Sequence, residues 1–496
     1  MTLQTRYLDG TEPSLPIRPL PIEIEGDEGR VIARPFILGS QRVATLFQRV
    51  QRLSDEEVAT LLAQVVRSYA DRHPDLFELL DEHYRDGASM IGFANHWDLN
   101  RQRLAGAYLT MEYAIESAAL FNPSIVPHPD QSNLPPGAVR ILLSLRATGE
   151  GHVSSIVFRT GTISASGEVS LDPFPRKLHR SRISPDRRYL RHLFWRKLGE
   201  MSIRGKVVDA VLSAVPEKFT LSELMAAVTA ARASFESSPE APELLRTILW
   251  LASSNYHIDL DPDAQLSELV IFPMSEEESR GIEDLRLVRF VDDDGSVTWY
   301  GTYTAYNGLR TLPMLMHTTD FRRIEFASLN GNAAQNKGMA LFPRKINGRY
   351  VMCSRIDGEN LYISTSHSVH FWETAQRLAA PLHPWELMQI GNCGSPIETE
   401  HGWLLLTHGV GPMRTYAIGA MLLDLADPLK IVGQLDQPLL APVEHRREGY
   451  VPNVVYTCGA MVHRDTLYIP YAHADKATTM AAIPLKPLLQ KLMEKK

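Results

Sequence analysis

An acid and a base stand two residues apart in Gly281-Ile282-Glu283-Asp284-Leu285-Arg286, and a strand-like stretch follows at Thr302-Tyr303-Thr304-Ala305-Tyr306-Asn307-Gly308. On an extended backbone such residues project to one side, so Asp284 and Arg286 offer a proton carrier and an anion clamp to the same space. Sugar chemistry needs both. Read alone, the pair also fits a surface ion pair closing a turn, which contributes little to stability. Other groups extend the set: Asn122 and Ser124, Arg146 with Glu150 and His152, Asn336-Lys337, Arg355, and Thr407-His408-Gly409. Each taken singly reads as a satisfied turn or surface residue, whereas together they suggest an anion pocket.

Sharper signatures are missing. The chain has no His-Glu-x-x-His, no Gly-x-Ser-x-Gly elbow and no Gly-x-x-x-x-Gly-Lys loop, so zinc hydrolysis, serine hydrolysis and nucleotide binding lack support. His367 and His370 lie beside a turn-forming stretch, and no metal site is expected. Three cysteines, Cys353, Cys393 and Cys458, are too few and too widely spaced for a disulfide framework or a zinc pairing. A net charge of −7 leaves no electrostatic footprint for nucleic acid. The opening Met1-Thr2-Leu3-Gln4-Thr5-Arg6 lacks an apolar leader, and no stretch approaches the roughly 20 apolar residues of a membrane span. A cytoplasmic protein, without membrane or nucleic-acid partners, is the expectation.

At 496 residues, 44% hydrophobic and 22% charged, the chain is long enough for several packed units. From Gln41 to Leu120 apolar residues recur at helical spacing, as in Val43, Leu46, Phe47, Val50 and Leu53, and Ser54-Asp55-Glu56-Glu57 reads as a capping box. Residues 1–120 are therefore expected to be mostly helical. Phe121-Asn122-Pro123-Ser124 breaks the pattern, and strands are expected over 121–184, as in Val139 to Arg146. A second helical block from about Pro185 to Ser254, with a capping box at Thr220-Leu221-Ser222-Glu223, reads as an insertion within 185–266. From 267 to 496 short β runs alternate with Gly, Pro, Asn and Asp, and polar residues end strand after strand: Arg146, Asp284, Arg355, His408 and Asp475. Such quasi-regular clusters fit a β-propeller whose central channel collects those ends, with a β-sandwich as the other solution.

Several ordered motifs resemble glycoside hydrolase family 130, the β-mannoside phosphorylases and mannosidases. They are Gly281 to Arg286, Lys337 to Tyr350, Trp403-Leu404-Leu405-Leu406-Thr407-His408-Gly409-Val410, Tyr416 to Leu425, Gly449-Tyr450-Val451-Pro452-Asn453-Val454-Val455-Tyr456, and Tyr471-Ala472-His473-Ala474-Asp475. The resemblance runs from about Phe121 to Leu485, apart from the helical insertion. It implies a mainly β protein, a five-bladed β-propeller carrying an N-terminal helical region and a helical insertion, with the active site at the channel mouth. It implies that Asp284 is the general acid, acting through a substrate hydroxyl, while inorganic phosphate inverts the anomeric carbon and releases α-mannose 1-phosphate. Phosphate is already anionic, so no second catalytic carboxylate is required.

By the same resemblance Lys337, Arg355 and His408 bind phosphate, with Gln389 at a place where many phosphorylases carry lysine. Asn122, Ser124, Arg146, Arg286, Tyr416 and Asp475 are the expected substrate-binding residues. No cofactor is expected beyond phosphate as co-substrate, and the expected partners are manno-oligosaccharides, with homo-oligomerisation compatible. Leu285 replaces the proline common in the Glu-Asp-Pro-Arg motif, leaving acid and arginine intact. Gln389 removes one expected cation, which keeps a β-mannosidase using water as the alternative. A non-catalytic glycan-binding propeller is the other, and it would have no need of a poised acid at Asp284.

Overall fold

In the computed structural model, residues 15–94, 97–180, 188–200 and 203–494 are described. The opening residues Met1 to Arg6 and the expected insertion start at Pro185 lie outside them. The protein is mainly β with helices. The N-terminal helices are Ser40–Gln51, Asp55–Tyr69, Leu76–Met90 and Leu99–Tyr108. Val43, Phe47 and Val50 form the buried stripe of the first, packing against Tyr84, Ala88 and Trp97. Ser54 and Glu57 close the expected capping box, Glu57 N–H donating to Ser54 Oγ at 3.2 Å and Ser54 N–H to Glu57 Oε2 at 2.7 Å. The second block holds Arg191–Glu200, Lys206–Ser213, Leu221–Ser234 and Ala241–Ser253 around its own core of Val208, Val211, Phe219, Leu245 and Ile248. Thr220 caps the third of these in the same way. Among the described residues no helix is long and apolar enough to cross a membrane.

The N-terminal segment also contributes strands that helical periodicity does not reveal. Arg18–Ile24 pairs antiparallel with Ala477–Pro484, near the other end of the chain, and Val31–Pro35 pairs with Thr110–Ala114. Pro19 and Pro21 hide the first from sequence reading, because proline donates no ladder hydrogen bond. An edge strand tolerates it, and the register shifts between Pro19 and Glu23.

The remaining strands form antiparallel stacks in chain order. Ala119–Pro127, Val139–Thr148 and Ser154–Ile163 make the first; Gly281–Val291, Val297–Tyr306, Thr311–Thr318 and Arg323–Ser328 the next, the two joined into one sheet by a single parallel bridge between Ser154 and Gly281. Lys337–Leu341, Tyr350–Arg355, Leu361–Ser366 and Ala375–Ala379 follow, then Gln389–Asn392, Gly402–Val410, Tyr416–Leu423 and Ile431–Gln434. Val455–Tyr456, Thr466–His473 and Ala477–Pro484 join Arg18–Ile24 in the last. The buried strands read as apolar runs, Trp403 to Leu406 being a case, because both of their faces are covered.

Glu116 ties the N-terminal segment to the first stack. It accepts from Arg30 Nε at 2.8 Å and Arg159 Nη2 at 2.9 Å, with all three side chains buried and the Phe174 ring 4.0 Å from the Arg159 guanidinium. Glu116→Ala strands two buried arginines, and removing one partner of such an arrangement costs about 3–5 kcal/mol. We expect a correspondingly lower denaturation midpoint; an unchanged midpoint would mean that the cluster does not hold the two parts together.

Candidate active site

Three strands that open successive stacks carry the same irregularity. Phe121 pairs with Arg146 but Ser124 with Ser144; Glu283 with Thr304 but Arg286 with Thr302; Lys337 with Arg355 but Ala340 with Cys353. Each strand therefore holds one extra residue, a β-bulge, which re-aims side chains at a strand end. Asn122 and Asp284 adopt left-handed φ values of 49° and 57° within these bulges. The expectation that an extended backbone points Asp284 and Arg286 the same way is corrected here. Arg286 Nη1 reaches the Asp284 carbonyl at 3.0 Å, while its Nη2 stays 3.8 Å from the carboxylate.

The bulges bring distant residues together. Asp284 Oδ1 accepts from Asn122 Nδ2 at 2.8 Å and Arg146 Nη1 at 3.2 Å. Arg146 forks across two carboxylates, its Nη2 donating to Glu283 Oε1 at 3.1 Å, and Lys337 Nζ holds the other Glu283 oxygen at 2.5 Å. Phe121 supports the fork from beneath, 5.1 Å from the guanidinium. Burial pushes the Asp284 carboxyl upward, but Arg146, Arg286, Asn122 and Lys337 outweigh it and bring the pKa down to about 2. Asp475 goes the other way. Burial first, then the Asp284 charge, push it up to about 7, against the smaller pull of Arg146 and Arg414.

Arg355 and His408 form a second cluster beside Gln389. His408 Nδ1 lies 3.1 Å from the Asn392 carbonyl, which only accepts, so Nδ1 carries the hydrogen. Its Nε2 lone pair is then free to accept from Arg355 Nη1 at 3.0 Å. Burial and the charges of Arg355 and Arg286 hold the imidazole neutral, far below its usual pKa. The Gln389 amide lies 3.1 Å from His408 Nε2, and the amide orientation that satisfies its neighbours turns the carbonyl to Arg355 and the nitrogen to the Gly358 carbonyl at 3.2 Å. Gly391 permits this close approach, since a Cβ there would lie 2.6 Å from His408 Cε1 and 3.3 Å from Arg355 Cδ. Among the described residues Arg355 has no carboxylate partner, and its Nε is buried without an acceptor.

Arg286 is buried with its donors engaged: Nε by the Cys393 carbonyl and Nη2 by the Tyr456 hydroxyl, both at 2.9 Å. It therefore supports the wall. Tyr416 stacks 6.1 Å from the His408 ring, and Tyr456 meets that ring edge-on at 5.1 Å. Ser124 falls outside the cluster. It is fully buried, and its hydroxyl accepts from Leu287 N–H at 3.1 Å, because the bulge at Asn122-Pro123 breaks the two-residue alternation that would align the pair. Glu283 and Tyr456 belong to the motifs but are not legible in the sequence as site residues. Alternation assigns Glu283 to the face opposite Asp284, and Tyr456 sits in an apolar run.

The assembled groups are Arg146, Arg286, Lys337 and Arg355 against the carboxylates Glu283 and Asp284, so cations exceed anions. Such a site has room for a further anion beside a carboxyl pair.

A profile of the family described as beta-1,4-mannooligosaccharide phosphorylase, glycoside hydrolase family 130, matches residues 263–494. The 1,2-beta-oligomannan phosphorylase of Thermoanaerobacter sp. (strain X514) is 33% identical over 235 residues, 45% of this chain and 75% of that protein. The beta-1,2-mannobiose phosphorylase of Listeria innocua is 31% identical over 242 residues, 47% of this chain and 64% of that protein. A solved structure of the Listeria innocua enzyme in complex with beta-1,2-mannobiose aligns with a TM-score of 0.46 and 23% identity, covering 76% of this chain and 92% of that one.

Proposed function

The chain belongs to glycoside hydrolase family 130, and on that premise we propose that it cleaves β-mannosides with inorganic phosphate, inverting the anomeric centre and releasing α-mannose 1-phosphate. In this reading the antiparallel stacks are the five blades of a propeller. Its support is that the Gly281–Val291 strand neighbours Ala119–Pro127 on one side and Lys337–Leu341 on the other, while Thr466–His473 returns to Ala119–Pro127. Arg18–Ile24 would then complete the last blade and join the two ends of the chain.

The observation that carries the reaction class is Arg355, a half-buried guanidinium with no carboxylate partner among the described residues and a buried, unused Nε. A cation with a donor shut off from water and no acceptor is costly, and a phosphate dianion would compensate it with charge-assisted hydrogen bonds. Lys337 would add a second cation to the anion's contacts, and Gln389 would contribute only if its amide turned its nitrogen toward the anion. Neutral His408 would orient Arg355 toward the bound phosphate through its Nε2. Asn122, Arg146 and Asp475 would hold the mannosyl hydroxyls, with Tyr416 as a wall. Asp284 would pass a proton through a sugar hydroxyl to the glycosidic oxygen as phosphate attacks the opposite face.

The alternative is a β-mannosidase, favoured by one specific observation: Gln389 brings no charge, and its carbonyl is already turned to Arg355. Linkage separates relatives named for β-1,2 and β-1,4 substrates and needs its own assay. The test is synthesis. Supplied with α-mannose 1-phosphate and a panel of mannose, glucose and N-acetylglucosamine acceptors, the protein should release phosphate and build a β-mannoside. No phosphate release with any acceptor, while β-mannobiose is hydrolysed, would favour the mannosidase.

A further inference from the structure

We propose that in the resting site the proton destined for the glycosidic oxygen resides on Asp475, and that Asp475 hands it to Asp284 when substrates bind. This rests on the phosphorylase reading above and names where that reaction's proton is kept.

The surroundings of the two carboxyls differ in kind. Asp284 accepts from Asn122 and Arg146 and lies 3.8 Å from the Arg286 guanidinium. As placed, Asn122 and Arg146 donate to it, and two of the three partners are fixed cations that favour the ionised form. The site is built for a carboxylate. Asp475 has no ion pair among the described residues, and its Oδ1 is buried without a partner. The charged groups facing it are Asp284 from Gly281–Val291, Arg146 from Val139–Thr148 and Arg414 from the turn before Tyr416. Of two carboxyls that feel each other's charge, the one without a cation in contact keeps the proton, and environments that part them in this way mark acid and base. The carboxyl of Asp475, near 7, agrees with that ordering.

The backbone shows the same placement. Asp475 occupies a turn in which Lys476 N–H donates to the His473 carbonyl at 3.1 Å, with Ala474 at φ 51° and Asp475 at φ 47°. Consecutive left-handed residues without glycine are strained, and such strain gathers where a side chain must be aimed. Asparagine tolerates this conformation well, so Asp475→Asn should keep the turn.

The proton count closes. Arriving hydrogen phosphate draws on the cations that hold Asp284 as an anion, and its own charge raises the proton affinity of Asp284. The O–H bond of Asp475 breaks and one forms at Asp284, directly or through a sugar hydroxyl. Asp284 then supplies the glycosidic oxygen through a sugar hydroxyl as the C1–oxygen bond breaks and the C1–phosphate bond forms. The proton still carried by the phosphoryl group, acidic once the group is a monoester, returns to Asp475. One proton moves in total from hydrogen phosphate to the leaving sugar.

The test combines titration of the protein alone with kinetics. Infrared difference spectra between pH 5 and pH 9 should show a protonated carboxyl titrating near 7, absent from Asp475→Asn and moved to lower pH in Asp284→Asn, where the neighbouring charge is gone. Because this carboxyl is raised on folding, it favours the fold at low pH and that contribution is lost as pH rises through 7; Asp475→Asn should flatten the loss. In turnover, Asp475→Asn should lower kcat/KM on β-mannobiose by about 10²–10⁴-fold and abolish the alkaline limb of its pH profile. The loss should be far smaller on 2,4-dinitrophenyl β-mannoside, whose leaving group needs no proton and which retains only the lost sugar contact. Equal losses on both substrates with the alkaline limb intact would reduce Asp475 to a holder of sugar hydroxyls and overturn the proposal. So would a titrating carboxyl that survives in Asp475→Asn and vanishes in Asp284→Asn. If the wild type does not phosphorolyse mannobiose, the phosphorylase reading fails, while the infrared titration still decides which carboxyl holds the proton.

Discussion

Asp284→Asn is expected to lower turnover of unactivated β-mannosides by about 10²–10⁴-fold, the usual share of a positioned general acid. The amide keeps the shape of the carboxylate and can still accept from Asn122 and Arg146, so the bulge at Glu283 to Arg286 should survive. Circular dichroism should match the wild type. Stability carries a second signature. The Asp284 carboxyl is depressed to about 2, so the wild type gains stability from it above the unfolded carboxylate range and loses that gain as pH falls through 2. Asp284→Asn should therefore be less stable than the wild type at neutral pH, with the gap closing in strong acid. A near wild-type rate on mannobiose would remove Asp284 from the proton path.

Arg355→Ala should raise the Michaelis constant for phosphate steeply. A charge-assisted hydrogen bond is worth about 1.5–3 kcal/mol, or roughly 10- to 150-fold in binding. Unlike the change at Glu116, this one should cost little stability. Among the described residues Arg355 has no carboxylate to strand, and its removal relieves repulsion from Arg286. Affinity for the mannoside should stay close to that of the wild type. Unaltered phosphate dependence in Arg355→Ala, measured as initial rate against phosphate concentration, would remove the anion site from this cluster.

How far the site is legible in the sequence depends on the backbone at each position. Arg355, His408 and Asp475 are readable as polar ends of apolar strands, because regular strands expose their ends whatever the partner. Their meeting in space is not readable: it depends on how the stacks are arranged, and Asn122 lies 162 residues from the Asp284 it contacts. The bulges defeat alternation in both directions. They turn Ser124 into a buried link to Leu287 and bring Glu283 into the network with Asp284. The strand Arg18–Ile24 was hidden because proline is a poor strand former except at an edge, and an edge cannot be identified before its partner, Ala477–Pro484, is known. The helical block after 185 was easier, since capping and apolar spacing are local.

Incubating the protein with β-1,2-mannobiose and phosphate, and following the products by ³¹P and ¹H nuclear magnetic resonance, tests the central claim most directly. The account predicts α-mannose 1-phosphate and mannose in equal amounts, at a rate that saturates with phosphate and vanishes without it. Two equivalents of free mannose, formed at a rate indifferent to phosphate, would contradict it.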